Sequence, residues 1–154
     1  MERDDYLDGI RGAWLGEQFG EVFFNALAER ATDNNLQAKW HVLARLEQVT
    51  GNRMAELLAT HGEVASTDEA IEVGEDMVNQ YANAPHLDAM RRMKDVVEKA
   101  IVRFDQLLAL APEPDVEAVQ FLVDHEQALL TFVERELAGD GARSLEAAET
   151  LLAS

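Results

Sequence analysis

Three acids, Glu17, Glu47 and Glu126, fall where helical spacing otherwise places apolar side chains. Glu17 lies between Ile10, Ala13 and Trp14 on one side and Gly20 and Phe24 on the other. Glu47 lies between Leu43 and Met54, and Glu126 between Leu122 and Leu129. A carboxylate on a buried stripe costs several kcal/mol, on the order of magnitude known for desolvated charge, unless it meets a cation, a base or a proton. Acids converging from separate helices should therefore have a partner, either a metal ion or a base. A fourth candidate, Glu98, sits one position past Val97 with Lys94, Asp95 and Asp105 near it in sequence. That places it at the margin of its stripe, where an i,i+4 pair with Lys94 competes with an inward role.

Of the four histidines, His125 alone lies in mid-helix among apolar residues, sharing a face with Phe121, Leu122, Leu129 and Phe132, about 100° around the axis from Glu126. It fits either a helix–helix contact bonded to a polar neighbour or a metal ligand. His41 groups with Gln37, Arg45 and Gln48 on a polar face. His61 belongs to the last turn of a helix, where a cationic ring suits the dipole, and His86 to the first turn of another.

These residues need helices to position them, and helical spacing dominates the chain. A first helix spans about 5–31. Thr32 and Asp33 provide turn and N-cap chemistry for a second over 36–61, which Gly62 stops. A polar stretch over 63–84 contains a weaker helix, with a capping box at Ser66, Thr67, Asp68 and Glu69 and a face of Ile71, Met77, Val78 and Tyr81. Pro85 opens a third long helix in its first turn, and Pro112 and Pro114 end it. A fourth runs from about 115 to the Gly139-Asp140-Gly141 stop, and a short tail helix follows over 145–152. The loops within each pair of long helices are too short for anything but antiparallel neighbours, whereas 63–84 is long enough to return along a helix of about 39 Å. The expected fold is all-α: two antiparallel helical hairpins joined by a long crossover containing a short helix, with a short C-terminal helix, in one domain with its core over 5–138.

The run from Glu17 to Ala31, with Trp40, Leu43, Ala44 and Glu47 on the next helix and the two segments from Leu122 to Glu126 and Phe132 to Leu137, resembles the rubrerythrin and bacterioferritin branch of the ferritin-like superfamily. The resemblance implies a ferritin-like four-helix bundle and a two-metal centre built from one Glu on each of two helices and a Glu-x-x-His on each of the others. It puts Glu17 and Glu98 at the single-Glu positions, and Glu47 and Glu126 at the head of the paired motifs. The expected histidine positions read Thr50 and Leu129, so both family histidines are absent. The implied ligand set is Glu17, Glu47, Glu126 and Glu98, with Asp95 as the alternative to Glu98; His125, outside the family pattern, is a neighbouring nitrogen that could stand in for the absent histidines.

A net charge of −17 over 154 residues argues against phosphate-backbone and anionic-membrane partners. The absence of Cys excludes thiolate and disulfide chemistry, and no phosphate-cradling or serine-nucleophile motif occurs. The acidic N-terminal residues and the lack of a membrane-length apolar run suggest a cytoplasmic protein. Two functions fit. One is a homodimeric binding or scaffolding module on a degenerate bundle, its inward acids paired with Arg11, Arg45, Arg53 or Arg103, or else protonated and hydrogen-bonded. The other is a carboxylate-bridged metal-binding protein of oxidase or oxygenase type holding Fe, Mn or another divalent ion. A small-molecule pocket near Phe23, Phe24 and Trp40 is a third arrangement, with no ligand specified. Gly12, Gly16 and Gly20 recur every four residues, suggesting close helix approach within the bundle or across a dimer, or a groove held open.

Overall fold

The computed structural model describes residues 3–67 and 71–154, with side chains from Asp5 onward. All regular structure among the described residues is helical. α1 spans Arg3–Arg30, α2 Asn34–Thr60, α3 Glu75–Ala82, α4 His86–Leu110, α5 Val116–Leu137 and α6 Glu146–Leu152, with 3-10 turns at Glu113–Asp115 and Gly141–Arg143.

Local chemistry sets the boundaries. Asp33 caps α2, its Oδ1 accepting from the amides of Asn35 at 2.8 Å and Leu36 at 3.4 Å. Gly62 leaves the helix at φ +77° and Gly139 at φ +78°, the left-handed conformation a glycine adopts without a Cβ penalty. Pro85 is the N-cap of α4 rather than a residue of its first turn. In the crossover the helix begins at Glu75, while Ser66 and Thr67 are non-helical; Asp68 and Glu69 lie outside the described residues.

α1 packs chiefly on α2, and α4 chiefly on α5. Two apolar clusters fix how the pairs are set. One joins Phe24 and Leu27 near the end of α1, Trp40 and Leu43 near the start of α2, Met90 near the start of α4 and Phe132 near the end of α5. The other joins Leu7 and Ile10 to Leu58, Leu107 and Val119 at the opposite end. Hence α2 and α4 run in the same direction and α1 and α5 in the other, and the segment from His61 to Pro85 carries the chain back along the bundle. α3 rests on α1 and α4, and α6 on α5 and α2.

Networks centred on carboxylates fasten both ends of α5. Asp115 accepts from Tyr6 Oη at 2.8 Å and His61 Nε2 at 2.7 Å, joining the start of α5 to α1 and to the end of α2. At the other end Glu136 accepts from Lys39 Nζ at 2.6 Å and His86 Nε2 at 2.7 Å, joining α5 to the starts of α2 and α4. Burial opposes ionisation of Glu136, but the hydrogen bonds from Lys39 and His86 outweigh it and hold its pKa below the ordinary range. No helix among the described residues is long and apolar enough to cross a membrane.

Candidate metal centre

Between the two apolar clusters lies a polar layer at the waist of the bundle. α1 contributes Glu17, α2 contributes Glu47, and α5 contributes His125 and Glu126; all four are buried. The side chains meet because each helix switches there from one cluster to the other: Trp14 to Phe23 across Glu17, Leu46 to Met54 across Glu47, Val123 to Ala128 across His125 and Glu126.

The imidazole is the hub. His125 Nε2 stands 3.0 Å from Glu17 Oε2, 3.4 Å from Glu126 Oε1 and 3.6 Å from Glu47 Oε2. Its Nδ1 is hydrogen-bonded to the carbonyl of Leu122 on the preceding turn, which orients the ring and directs Nε2 at the acids. Despite the short separations, neither Nε2 nor Glu17 Oε2 has a hydrogen-bond partner of acceptable geometry, and both atoms are sealed from solvent.

Charge is unbalanced in this layer. Among the described residues the only ion-pair partner of Glu17, Glu47 or Glu126 is His125. Arg11 is taken by Asp8 and Glu63, Arg45 is exposed, and Arg53 lies 3.9 Å above the ring of Phe121. Arg103 sits 5.8 Å over Phe104 and touches Glu126 only through its longer-range field. Among the described residues the fold thus builds no arginine pairing for these acids, and of the two forms expected of a metal-free interior only protonated acids fit.

The proton affinities follow. Burial raises the pKa of Glu47 well above the carboxylate range, and the neighbouring Glu17 carboxylate raises it further. Burial likewise pushes Glu126 up to about 7, with His125 opposing and Glu47 reinforcing the rise. For His125 burial disfavours the cation, but the carboxylates of Glu17 and Glu126 outweigh it and leave the pKa well above the ordinary value.

The donor spacing fits a single small cation. With ligand bonds of about 2.1 Å, adjacent donors stand about 3.0 Å apart in an octahedral shell and about 3.4 Å apart in a tetrahedral one. One donor atom each from Glu17, His125 and Glu126 lies within 4.8 Å of the others, and the contacts to Nε2 are already in that range. The four-helix ligand set that the resemblance implied is not assembled. Glu98 is exposed on α4 and takes no part, because the stripe of that helix turns Val97 and Ala100 inward instead. The nearby i,i+4 pair on this surface is Lys99 with Asp95 at 3.1 Å. Thr50 is buried but donates its hydroxyl to its own helix at the Leu46 carbonyl, and Leu129 is apolar bulk.

No family model, curated protein or solved structure matches this chain.

Two glycines shape the layer. A Cβ on Gly20 would stand 2.8 Å from Glu47 Cδ, so α1 gives way there to admit the carboxylate. A Cβ on Gly51 would come within 3.2 Å of Glu17 Cβ, which brings α2 against α1 at the level of the site. Glycine in mid-helix is the signal that could have located Gly51 from sequence. Gly12 and Gly16 behave differently: a Cβ there meets nothing within 4 Å, so they serve no close approach inside the molecule.

Beside the acids the interior opens. A cavity of about 230 Å³ extends from Glu17, Glu47 and Glu126 between α1, α3 and α4, walled by Phe23, Tyr81, Val97 and Phe104 among others. Trp40 is not part of it, being packed against Phe24 and Phe132 with ring centroids 5.8 Å apart in each case. Phe23 and Phe24 do reach it.

Proposed function

We propose that this protein is a ferritin-like bundle that binds one divalent metal ion per chain at its waist, through Glu17, Glu126 and His125 with Glu47 completing the set. The observation that carries the proposal is the pair of buried donor atoms, Glu17 Oε2 and His125 Nε2, 3.0 Å apart without a hydrogen bond of acceptable geometry to any atom, inside a ring of acids that holds no arginine or lysine. Three buried carboxylates against one imidazole call for further positive charge, which protons supply up to about neutral pH and a cation can supply above it. The ferritin-like assignment draws support from the two antiparallel hairpins, the returning crossover and the placement of acids on α1, α2 and α5 at one level.

Oxygen donors with a single imidazole suit Mn²⁺, Fe²⁺ or Zn²⁺. Such an ion, when bound, supplies Lewis acidity and, for Mn or Fe, access to one-electron chemistry. The chain's own contribution is to orient His125 through the Leu122 carbonyl, to bury the acids at one level, and to keep Gly20 clear of Glu47. Metal analysis of protein purified without chelator, followed by titration with Mn²⁺, anaerobic Fe²⁺ and Zn²⁺, tests the proposal. About one equivalent with a raised melting temperature is the expected result. Less than a tenth of an equivalent of every metal, with no thermal stabilisation, rejects it.

A further inference from the structure

We infer that the cavity between α1, α3 and α4 is a binding pocket for a small apolar molecule carrying one hydroxyl group, held with the hydroxyl against the acid layer. The inference deepens the proposed metal-binding reading, on which the position of the hydroxyl rests.

Polarity in the cavity is one-sided. Glu17, Glu47 and Glu126 form one end, while the walls are Phe23 from α1, Tyr81 and Met77 from α3, and Val97 and Ala100 from α4. A volume of about 230 Å³ exceeds the roughly 150 Å³ that accommodates benzene in an apolar cavity, leaving room for a ring with a short substituent. Water suits the acidic end best, since the walls are apolar apart from the Tyr81 side chain and Arg103 at the rim. A hydroxyl can donate to a carboxylate and present a lone pair to a cation, so it suits that end with the metal bound or absent.

Gly16 supports the same conclusion. It lines the cavity, is exposed, and has nothing within 4 Å of where a Cβ would stand, so no neighbour requires it to be glycine. Glycine is among the poorest residues for mid-helix. What it provides here is open volume at the mouth, where the exposed Val96 and Arg103 of α4 form the opposite rim. Ala100 keeps the α4 wall equally low.

The test uses p-cresol as probe, by calorimetry on the full chain with and without Mn²⁺, together with Gly16→Leu and Ala100→Leu. Wild type is expected to bind p-cresol saturably, and each filled variant to bind it at least tenfold more weakly while taking up the same Mn²⁺ as wild type. Gly16→Leu adds its side chain at an exposed helical position, so it keeps the test decisive even if Ala100→Leu fails to fold. No binding to wild type at millimolar p-cresol, or unchanged affinity in the filled variants, overturns the pocket. The two readings separate on the same samples: Mn²⁺ uptake without p-cresol binding overturns the pocket alone, and p-cresol binding without Mn²⁺ uptake supports the pocket and removes the metal.

Discussion

His125 Nε2 and Glu17 Oε2 stand 3.0 Å apart in the sealed waist of the bundle, and neither forms a hydrogen bond. The ring cannot swing to improve the contact, because its Nδ1 is tied to the Leu122 carbonyl one turn back. Two strong polar atoms held this way keep a high-energy arrangement unless a third atom joins both.

Removing either partner should abolish the metal. His125→Ala and Glu17→Gln are each expected to lower bound Mn²⁺ from about one equivalent to less than a tenth, measured after dialysis. Full metal uptake by both variants would show that the ion is bound elsewhere.

The glycines of α1 should respond in opposite ways to the same substitution. Gly12→Ala adds a methyl into open space and replaces a poor helix former, so a gain of about 0.5–1 kcal/mol is expected. Gly20→Ala sets that methyl 2.8 Å from Glu47 Cδ, and displacing the carboxylate should cancel the propensity gain at a cost of about 1–3 kcal/mol. Mn²⁺ affinity should fall at least tenfold in Gly20→Ala and stay unchanged in Gly12→Ala. Equal urea midpoints for the two variants would contradict the packing described.

Stability of the metal-free protein should decline as pH rises from acidic to neutral. Glu126 has a folded pKa of about 7 against an ordinary 4.5. A group raised in the folded state stabilises fully below its unfolded value and loses that contribution as pH climbs through the folded one. Glu126 alone accounts for about 3 kcal/mol between pH 4.5 and 7, and Glu47, shifted the same way, extends the loss. The raised His125 adds stability below its ordinary 6.5 that likewise fades above its folded value. Glu136, whose pKa is lowered, stabilises above 4.5 and loses that contribution on acidification. Urea midpoints should therefore peak near pH 5 and fall toward pH 8. Metal affinity should run the other way, because binding displaces protons.

The clamp at the start of α5 should matter for stability and not for metal stoichiometry. Asp115→Ala leaves Tyr6 Oη and His61 Nε2 without their shared acceptor, and a loss of about 2–4 kcal/mol is expected from chemical denaturation. The change lies at the far end of the Ile10 and Leu58 cluster from the acid layer, so the variant that remains folded should still bind one Mn²⁺. Loss of metal in a folded Asp115→Ala protein would mean that the end clamp and the waist are coupled.

Much of the architecture was legible because helical periodicity and end signals are local. Asp33, Gly62 and Gly139 stop or start helices through their own backbone and side-chain chemistry, and the apolar stripes turn Glu17, Glu47 and Glu126 inward with them. Margins of stripes are another matter. Glu98 and His125 each sit about 100° from a core position, yet one is exposed and the other fully buried. The difference lies in their helices: α4 keeps one face in solvent, whereas α5 is covered by α2, α4 and α6, so its buried residues extend nearly around its axis.

The sequence by itself determined the helices, their turns and the three acids that break the apolar stripes, since each depends on residues within a few positions of one another. Tertiary structure alone decided that His125 is the hub, that Glu98 stays outside, that Gly20 recesses for Glu47 and that a cavity opens beside them. Those outcomes depend on the rotation and separation of helices distant in the chain, which are set by how whole faces pack and which no local pattern encodes.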